Sequence, residues 1–189
     1  MNQSFRTIFS LNFSTEVKIV NDSDLLYELC QYDDLFVIID KNVKNIYSSF
    51  LSPIINDRIY EFVATETNKN LEELGFILEL MRKRNVGRHS TVLGIGGGIT
   101  TDIAAFAASI YQRGCKLTLI PTTYLAMIDA AIGGKTAVNC AGLKNNVGSF
   151  YPAGTVLILT DFLKSLPESE FENGRIEAFK MGLISGTNF

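Results

Sequence analysis

Apolar and polar positions along this 189-residue chain change period repeatedly, and each change marks an element. Arg6–Phe9 and Val17–Val20 read as short strands, and Leu25–Cys30 as a helix behind Asn21-Asp22-Ser23. The apolar strand Leu35–Ile39 ends in Asp40. Val43–Leu51 reads as a helix stopped before Pro53, and Ile59–Val63 as a strand. Asn70–Arg84 has helical spacing, with Leu71, Leu74, Ile77, Leu78 and Met81 on one face. Thr91–Ile95 is a buried strand that runs into glycines, and Thr101–Gln112 is a helix whose end is marked by Gly114. Leu117–Ile120 and Val156–Leu159 are further strands. Between them, from Gly133 onward, the texture is that of functional loops, and Asn173–Ile184 reads as a last helix.

Strands separated by helices need crossover connections. The expected fold is therefore α/β, a Rossmann-like, mostly parallel sheet with helices on both faces and ligands bound beyond the carboxyl ends of the strands. At 47% hydrophobic and 20% charged residues, the chain suits one compact domain with a short appendage. A net charge of −3, with basic residues scattered except at Arg82-Lys83-Arg84, offers no surplus of cations for a phosphate backbone, so nucleic acid is not an expected partner. The stretch Ile103–Tyr111 is too short to cross a bilayer, and Met1-Asn2-Gln3-Ser4 lacks the basic and apolar regions of a signal peptide. The expected location is the cytoplasm, with no membrane partner. Cys30, Cys115 and Cys140 are odd in number and widely spaced, which favours buried free thiols over a disulfide framework.

Gly94-Ile-Gly96-Gly97-Gly98-Ile-Thr-Thr-Asp102 follows a strand and opens a helix, the context in which backbone N–H groups hold a pyrophosphate. The spacing departs from Gly-x-Gly-x-x-Gly, since Ile99 stands where the third glycine belongs and the acid Asp40 precedes the glycines. Nucleotide binding and a tight turn needing glycine for packing both account for it. Asp129, Lys135, Lys144, Asn145 and Arg113 lie in or beside glycine-rich turns and suit a small substrate carrying phosphate or carboxylate. A solvated set of surface charges is the other reading. Asp129, between Ala126-Met127-Ile128 and Ala130-Ala131-Ile132, reads as a partly buried carboxylate in need of a partner. Glu177 and Lys180 share a helix face, as a routine ion pair does. His89 is the only histidine and sits in a polar turn, and one histidine cannot make a three-ligand zinc site.

Taken together, Gly96-Gly97-Gly98-Ile-Thr-Thr-Asp102, Tyr111-Gln-Arg113-Gly114, Pro121-Thr122-Thr123, Asp129-Ala-Ala-Ile-Gly133-Gly134-Lys135-Thr136, Lys144-Asn145 and Leu163-Lys-Ser-Leu-Pro167 resemble the ordered motif series of the 3-dehydroquinate synthases. The likeness is dense from Thr91 to Ile184 and thinner upstream, through Asp40-Lys41-Asn42 and Glu66-Thr-Asn-Lys69. It implies that Asp40, Asn42, Glu66 and Lys69 hold the adenosine end of NAD, with Gly97, Gly98, Ile99 and Asp102 at the pyrophosphate. Thr122, Thr123, Lys144, Phe162, Leu163, Lys164, Ser165 and Asn173 complete that cofactor site. Asp129, Lys135, Asn145 and Lys180 face the substrate, Arg113 reaches into the neighbouring subunit of a homodimer, and Glu177 becomes a ligand to zinc or cobalt.

The implied reaction converts 3-deoxy-D-arabino-heptulosonate 7-phosphate to 3-dehydroquinate and phosphate, a lyase step of the shikimate pathway to chorismate and the aromatic amino acids. NAD carries a reversible redox step there and the metal acts as a Lewis acid. The resemblance divides the chain into an NAD-binding domain, residues 1–172, and the first helix of a helical C-terminal domain, residues 173–189. The rest of that domain, with two zinc-binding histidines, is expected to be absent and the isolated chain inactive. Thr101 and Ala105 stand where the family has glycine, and Ile176-Glu177-Ala178-Phe179-Lys180 alters the apolar residues of the last motif. The rival readings are another NAD- and zinc-dependent sugar-phosphate cyclase, a polyol dehydrogenase with a similar glycine turn, and a non-catalytic NAD-binding module.

Overall fold

The computed structural model describes residues 3–10, 13–30, 32, 34–52 and 59–186. Strand β1 (Gln3–Ser10) pairs antiparallel with β2 (Phe13–Ile19) at one side of a seven-stranded sheet. From β2 inward, β9 (Thr155–Ile158), β6 (Lys116–Pro121), β5 (Thr91–Gly96), β3 (Leu35–Asp40) and β4 (Ile59–Phe62) run parallel, in that spatial order. Successive side chains of a strand point to opposite faces, yet Phe36, Val37, Ile38 and Ile39, and likewise Val92, Leu93 and Ile95, are all buried. The sheet is therefore covered on both sides, as its parallel architecture requires.

Two helices supply much of that cover. In α4 (Leu71–Lys83) the buried stripe is Leu74, Ile77 and Met81, and Asn70 caps the helix by accepting the Glu73 N–H at 2.8 Å. Leu71, in the first turn, is exposed, so the apolar face is narrower than its spacing predicts. Helix α5 (Gly98–Ile110) links β5 to β6 and buries every residue from Ile103 to Ala108. The two methyl-bearing departures from glycine, Thr101 and Ala105, belong to this buried surface, and Thr101 Oγ1 donates to Gly98 O at 3.1 Å. The added methyls fill core space.

Four expectations need correction. The helix predicted over Val43–Leu51 is two, α2 (Lys41–Ile46) and α3 (Ser48–Leu51), parted at Tyr47, whose ring meets Phe162 edge-on with centroids 4.7 Å apart. A tertiary contact outweighs local propensity there, and the expected stop at Pro53 lies outside the described residues. The helix predicted from Thr101 starts three residues earlier, and its end at Tyr111–Arg113 is a 3₁₀ turn in which Gln112 and Arg113 take left-handed φ of 53° and 66°. The region read as loops from Gly133 onward contains a hairpin, β7 (Lys135–Cys140) with β8 (Leu143–Phe150), lying apart from the main sheet. The last helix, α6 (Glu168–Ser185), begins ahead of Asn173, so the boundary expected at residue 173 falls inside it.

Helix α1 (Asp22–Cys30) lies between β2 and β3 in sequence. No helix among the described residues is long and apolar enough to cross a membrane.

Candidate functional site

The carboxyl ends of β3, β5 and β6 lie side by side, and the residues that follow them build the site. Asp40 ends β3 and caps α2, its Oδ1 accepting the Asn42 N–H at 2.7 Å. Burial pushes its carboxyl above the ordinary value, and the backbone N–H groups of Asn42 and Val43 only partly offset this. Gly97 precedes α5 without a side-chain cap, and no acidic residue occupies the first turn. The first N–H groups of such a helix have no intrahelical acceptor and carry its positive end, so they form an anion-binding surface.

The glycines divide by what surrounds them. A Cβ on Gly94 would come within 2.8 Å of Ala104 and Leu119, and one on Gly96 within 2.6 Å of Thr100, so both are required for packing. A Cβ on Gly98 would meet only Ala130, at an ordinary 3.6 Å. Packing explains the first two; the space over Gly98 belongs to a cleft.

That cleft, of about 800 Å³, is lined by Asp40, Asn42, Glu66 and Lys69 on one side and by Gly97, Gly98, Ile99 and Asp102 at the helix start. Thr122, Thr123, Phe162 and Ser165 close it. The strand-end positions dictate this gathering, because each lies where its strand hands over to a turn. Of the proposed cofactor residues, Lys144, Leu163, Lys164 and Asn173 do not line the cleft. Lys144 faces the Glu66 carboxylate at 3.6 Å, Lys164 pairs with Asp161 at 2.6 Å, Leu163 packs partly against the core, and Asn173 is exposed on α6.

A second cleft, of about 550 Å³, abuts the first, with Asp102 and Ala130 lining both. Asp129, Lys135 and Asn145 line it, together with Asn146 and Ser149 of the hairpin. Asp129 sits in a π-helical turn over Ala126–Ala130, half-buried as expected, and no partner of its carboxylate appears among the described residues. Lys69, 3% exposed, stands between the clefts: its Nζ donates to Asp102 Oδ2 and, at 2.6 Å, to Asn145 Oδ1. Burial raises the Asp102 carboxyl above the ordinary value; the Lys69 charge works against this and the Asp129 charge adds to it.

Arg113, Glu177 and Lys180 line neither cleft. Arg113 is exposed in its left-handed turn. Lys180 Nζ lies 2.5 Å from Glu177 Oε1, the ion pair that their spacing allows. Helix α6 is held beside the Asp129 turn by Gly174, where a Cβ would strike Tyr124 at 2.7 Å, and by Phe171 stacked on Tyr124.

Two contributors escaped the sequence reading. Tyr47 lines the first cleft, and its hydroxyl meets Ser165 Oγ at 2.8 Å, fixing the segment after β9. Asn139, in β7, donates through Nδ2 to both Glu66 O and Glu66 Oε2 at 2.9 Å and accepts the Asn145 N–H through Oδ1 at 2.9 Å. It sits in the alternating pattern of a half-buried strand, and nothing in its spacing separates it from its neighbours.

The first cleft has the chemistry of a dinucleotide site: an open helix N-terminus for the phosphates, a strand-end carboxylate for hydroxyls, and an apolar side from Tyr47 and Phe162. A metal is not accommodated in the same way. Among the described residues no three His, Cys, Asp or Glu side chains come together as a ligand set, and Glu177 is engaged by Lys180.

Comparison with known proteins places these motifs. A family model described as "3-dehydroquinate synthase N-terminal" matches residues 59–173. A 3-dehydroquinate synthase from Alkaliphilus metalliredigens is 42% identical over 160 residues, covering 83% of this chain and 45% of that protein. One from Pelagibacter ubique is 38% identical over 192 residues, 100% of this chain and 51% of that protein. The chain thus spans about half the length of the curated relatives it matches. Among solved structures, 2-epi-5-epi-valiolone synthase from Streptomyces hygroscopicus, with NAD+ and Zn2+ bound, superposes with a TM-score of 0.79 at 30% identity, over 90% of this chain and 49% of that one.

Proposed function

The chain belongs to the 3-dehydroquinate synthase family, and from that premise we propose that it is the NAD-binding half of an enzyme that converts 3-deoxy-D-arabino-heptulosonate 7-phosphate to 3-dehydroquinate and phosphate. The observation that carries this reading is the open space over Gly98 at the start of α5, in a cleft that continues to Asp40. In this reading the first N–H groups of α5 bind the pyrophosphate, and the Asp40 carboxylate accepts hydroxyls at the adenosine end. NAD, when bound, supplies reversible oxidation of a substrate hydroxyl. Lys135 and Asn145 hold the phosphate and hydroxyl groups of the sugar in the adjoining cleft. Asp129, lining the same cleft, fixes the substrate through its hydroxyls. Asp102, common to both clefts, keeps the two ligands side by side.

Glu177 offers one carboxylate toward a divalent metal once it leaves Lys180. The described residues supply no companions for it, so no step is routed through a metal here. Arg113, projecting from its turn, serves a second copy of the chain in this reading. Because the solved valiolone synthase is also a cyclase, a different sugar phosphate is the second reading.

The test is a phosphate-release assay beside equilibrium dialysis with NAD. The 189-residue chain, given NAD, Zn2+ and the heptulosonate phosphate, is expected to bind NAD and release no phosphate above background. Absence of NAD binding by the folded chain would sink the cofactor assignment. Sustained release would sink the view that further metal ligands are needed.

A further inference from the structure

Among the side chains at this site, one touches neither cleft yet bonds to residues of both. Asn139 projects from β7, with Glu66 on one side and Asn145 on the other. The sense of its amide is fixed by chemistry: Nδ2 faces two oxygens of Glu66 and Oδ1 faces the Asn145 N–H, so a flipped amide would set oxygen against oxygen and nitrogen against nitrogen. The backbone repeats the link, with Asn139 N donating to Lys69 O at 2.7 Å.

Asn145 is held at both of its ends. Its backbone N–H goes to Asn139 and its side-chain oxygen to Lys69, while its φ is 52°, in the left-handed region. A residue there persists when its surroundings over-determine it. With Oδ1 taken by Lys69, the donors on Nδ2 are what Asn145 can offer a ligand.

We infer that Asn139 is a positioning residue that couples the two clefts: through Glu66 and Lys69 it senses the cofactor side, and through the Asn145 N–H it sets the group presented on the substrate side. This rests on the dinucleotide reading of the first cleft. Ordering the Glu66–Lys69 segment when that cleft fills orders Asn145 as well, so an anion in the second cleft then binds a prearranged donor. By reciprocity the anion tightens the nucleotide to the same degree.

The test uses the 189-residue chain, NAD and inorganic phosphate as the anionic probe, followed by calorimetry and by amide resonances of the isotope-labelled protein. Saturating NAD is expected to raise phosphate affinity about fivefold or more. In Asn139→Ala this ratio falls to about one, while each ligand still binds and still shifts the resonances of its own cleft. Asn139→Asp keeps the acceptor for Asn145 but sets a carboxylate against Glu66, and is expected to weaken NAD more than phosphate. A ratio unchanged in Asn139→Ala, or no coupling in wild type while both ligands bind, overturns the inference and leaves the dinucleotide reading standing. If NAD does not bind a folded wild-type chain, that reading fails instead. The ligand-free spectra then decide about Asn139: shifts at both Glu66 and Asn145 in Asn139→Ala support the link, and shifts at one alone refute it.

Discussion

Lys69 and Asp102 form an ion pair in the wall common to both clefts, and Lys69 reaches it from a nearly fully buried position. Its partner is supplied by α5 and Lys69 itself by the segment before α4, so the pair ties two crossover units together. Breaking such a pair leaves one charge without compensation, whereas removing both partners together is often close to neutral. Lys69→Met is therefore expected to cost about 3 kcal/mol. The Lys69→Met, Asp102→Asn double variant should recover most of that loss. Urea unfolding of the two single variants and the double variant checks it, and additive losses would contradict the pairing.

The pH dependence follows from the same carboxylate. Asp102 is raised above 3.8, so the folded chain holds that proton more tightly than the unfolded chain does. Its contribution to stability is fully present below the unfolded value and is lost as pH rises through the folded one. Glu66 runs the other way: the Asn139 amide first, then the Lys144 and Lys69 charges, hold it below 4.5, so its contribution is present above that value and lost as pH falls. Unfolding free energies across this range should show the wild-type advantage over Asp102→Asn shrinking with rising pH, and that over Glu66→Gln growing.

Gly148 has a different task from Gly98. A Cβ there would lie 1.8 Å from Thr136 O, inside the backbone of the partner strand. Gly148→Ala is expected to destabilise the hairpin by about 3 kcal/mol or more, beyond ordinary overpacking, because backbone cannot rotate away. The loss would appear as a lowered thermal midpoint together with weakened phosphate binding.

The hairpin turn contains a correctable strain. Ala141 adopts φ of 52° ahead of Gly142 at 77°, a pair of left-handed residues of the kind that Asn-Gly fills. Ala141→Asn is expected to raise stability by about 0.5 to 1 kcal/mol. An unchanged or lowered thermal midpoint would argue against that turn geometry.

Much of this architecture is legible in the sequence because burial on both faces leaves an apolar run, as at Leu35–Ile39 and Thr91–Ile95. The glycine turn is legible too, since it interrupts such a run just where a helix begins. The hairpin is not: β8 is polar and mostly exposed, and its pairing with β7 depends on Gly148, which looks in sequence like any loop glycine. Tyr47 and Asn139 were missed for a related reason. Their roles come from partners far along the chain, Ser165 for one and Glu66 for the other, and no local spacing records such contacts. Lys69 was assigned to the adenosine end of a nucleotide, whereas its amino group points to Asp102 and Asn145, at the junction of the clefts.

The most direct test of the account is calorimetric titration of NAD into the chain and its Gly98→Ala variant, with the thermal midpoint of each. Only an ordinary contact with Ala130 awaits a methyl at that position, so the fold should be unaffected. If the pyrophosphate lies on the start of α5, wild type binds NAD saturably at one site and the variant binds about tenfold more weakly, a loss of about 1.4 kcal/mol, at an unchanged midpoint. Equal NAD affinity in the two proteins, or no saturable binding by the folded wild type, would contradict it.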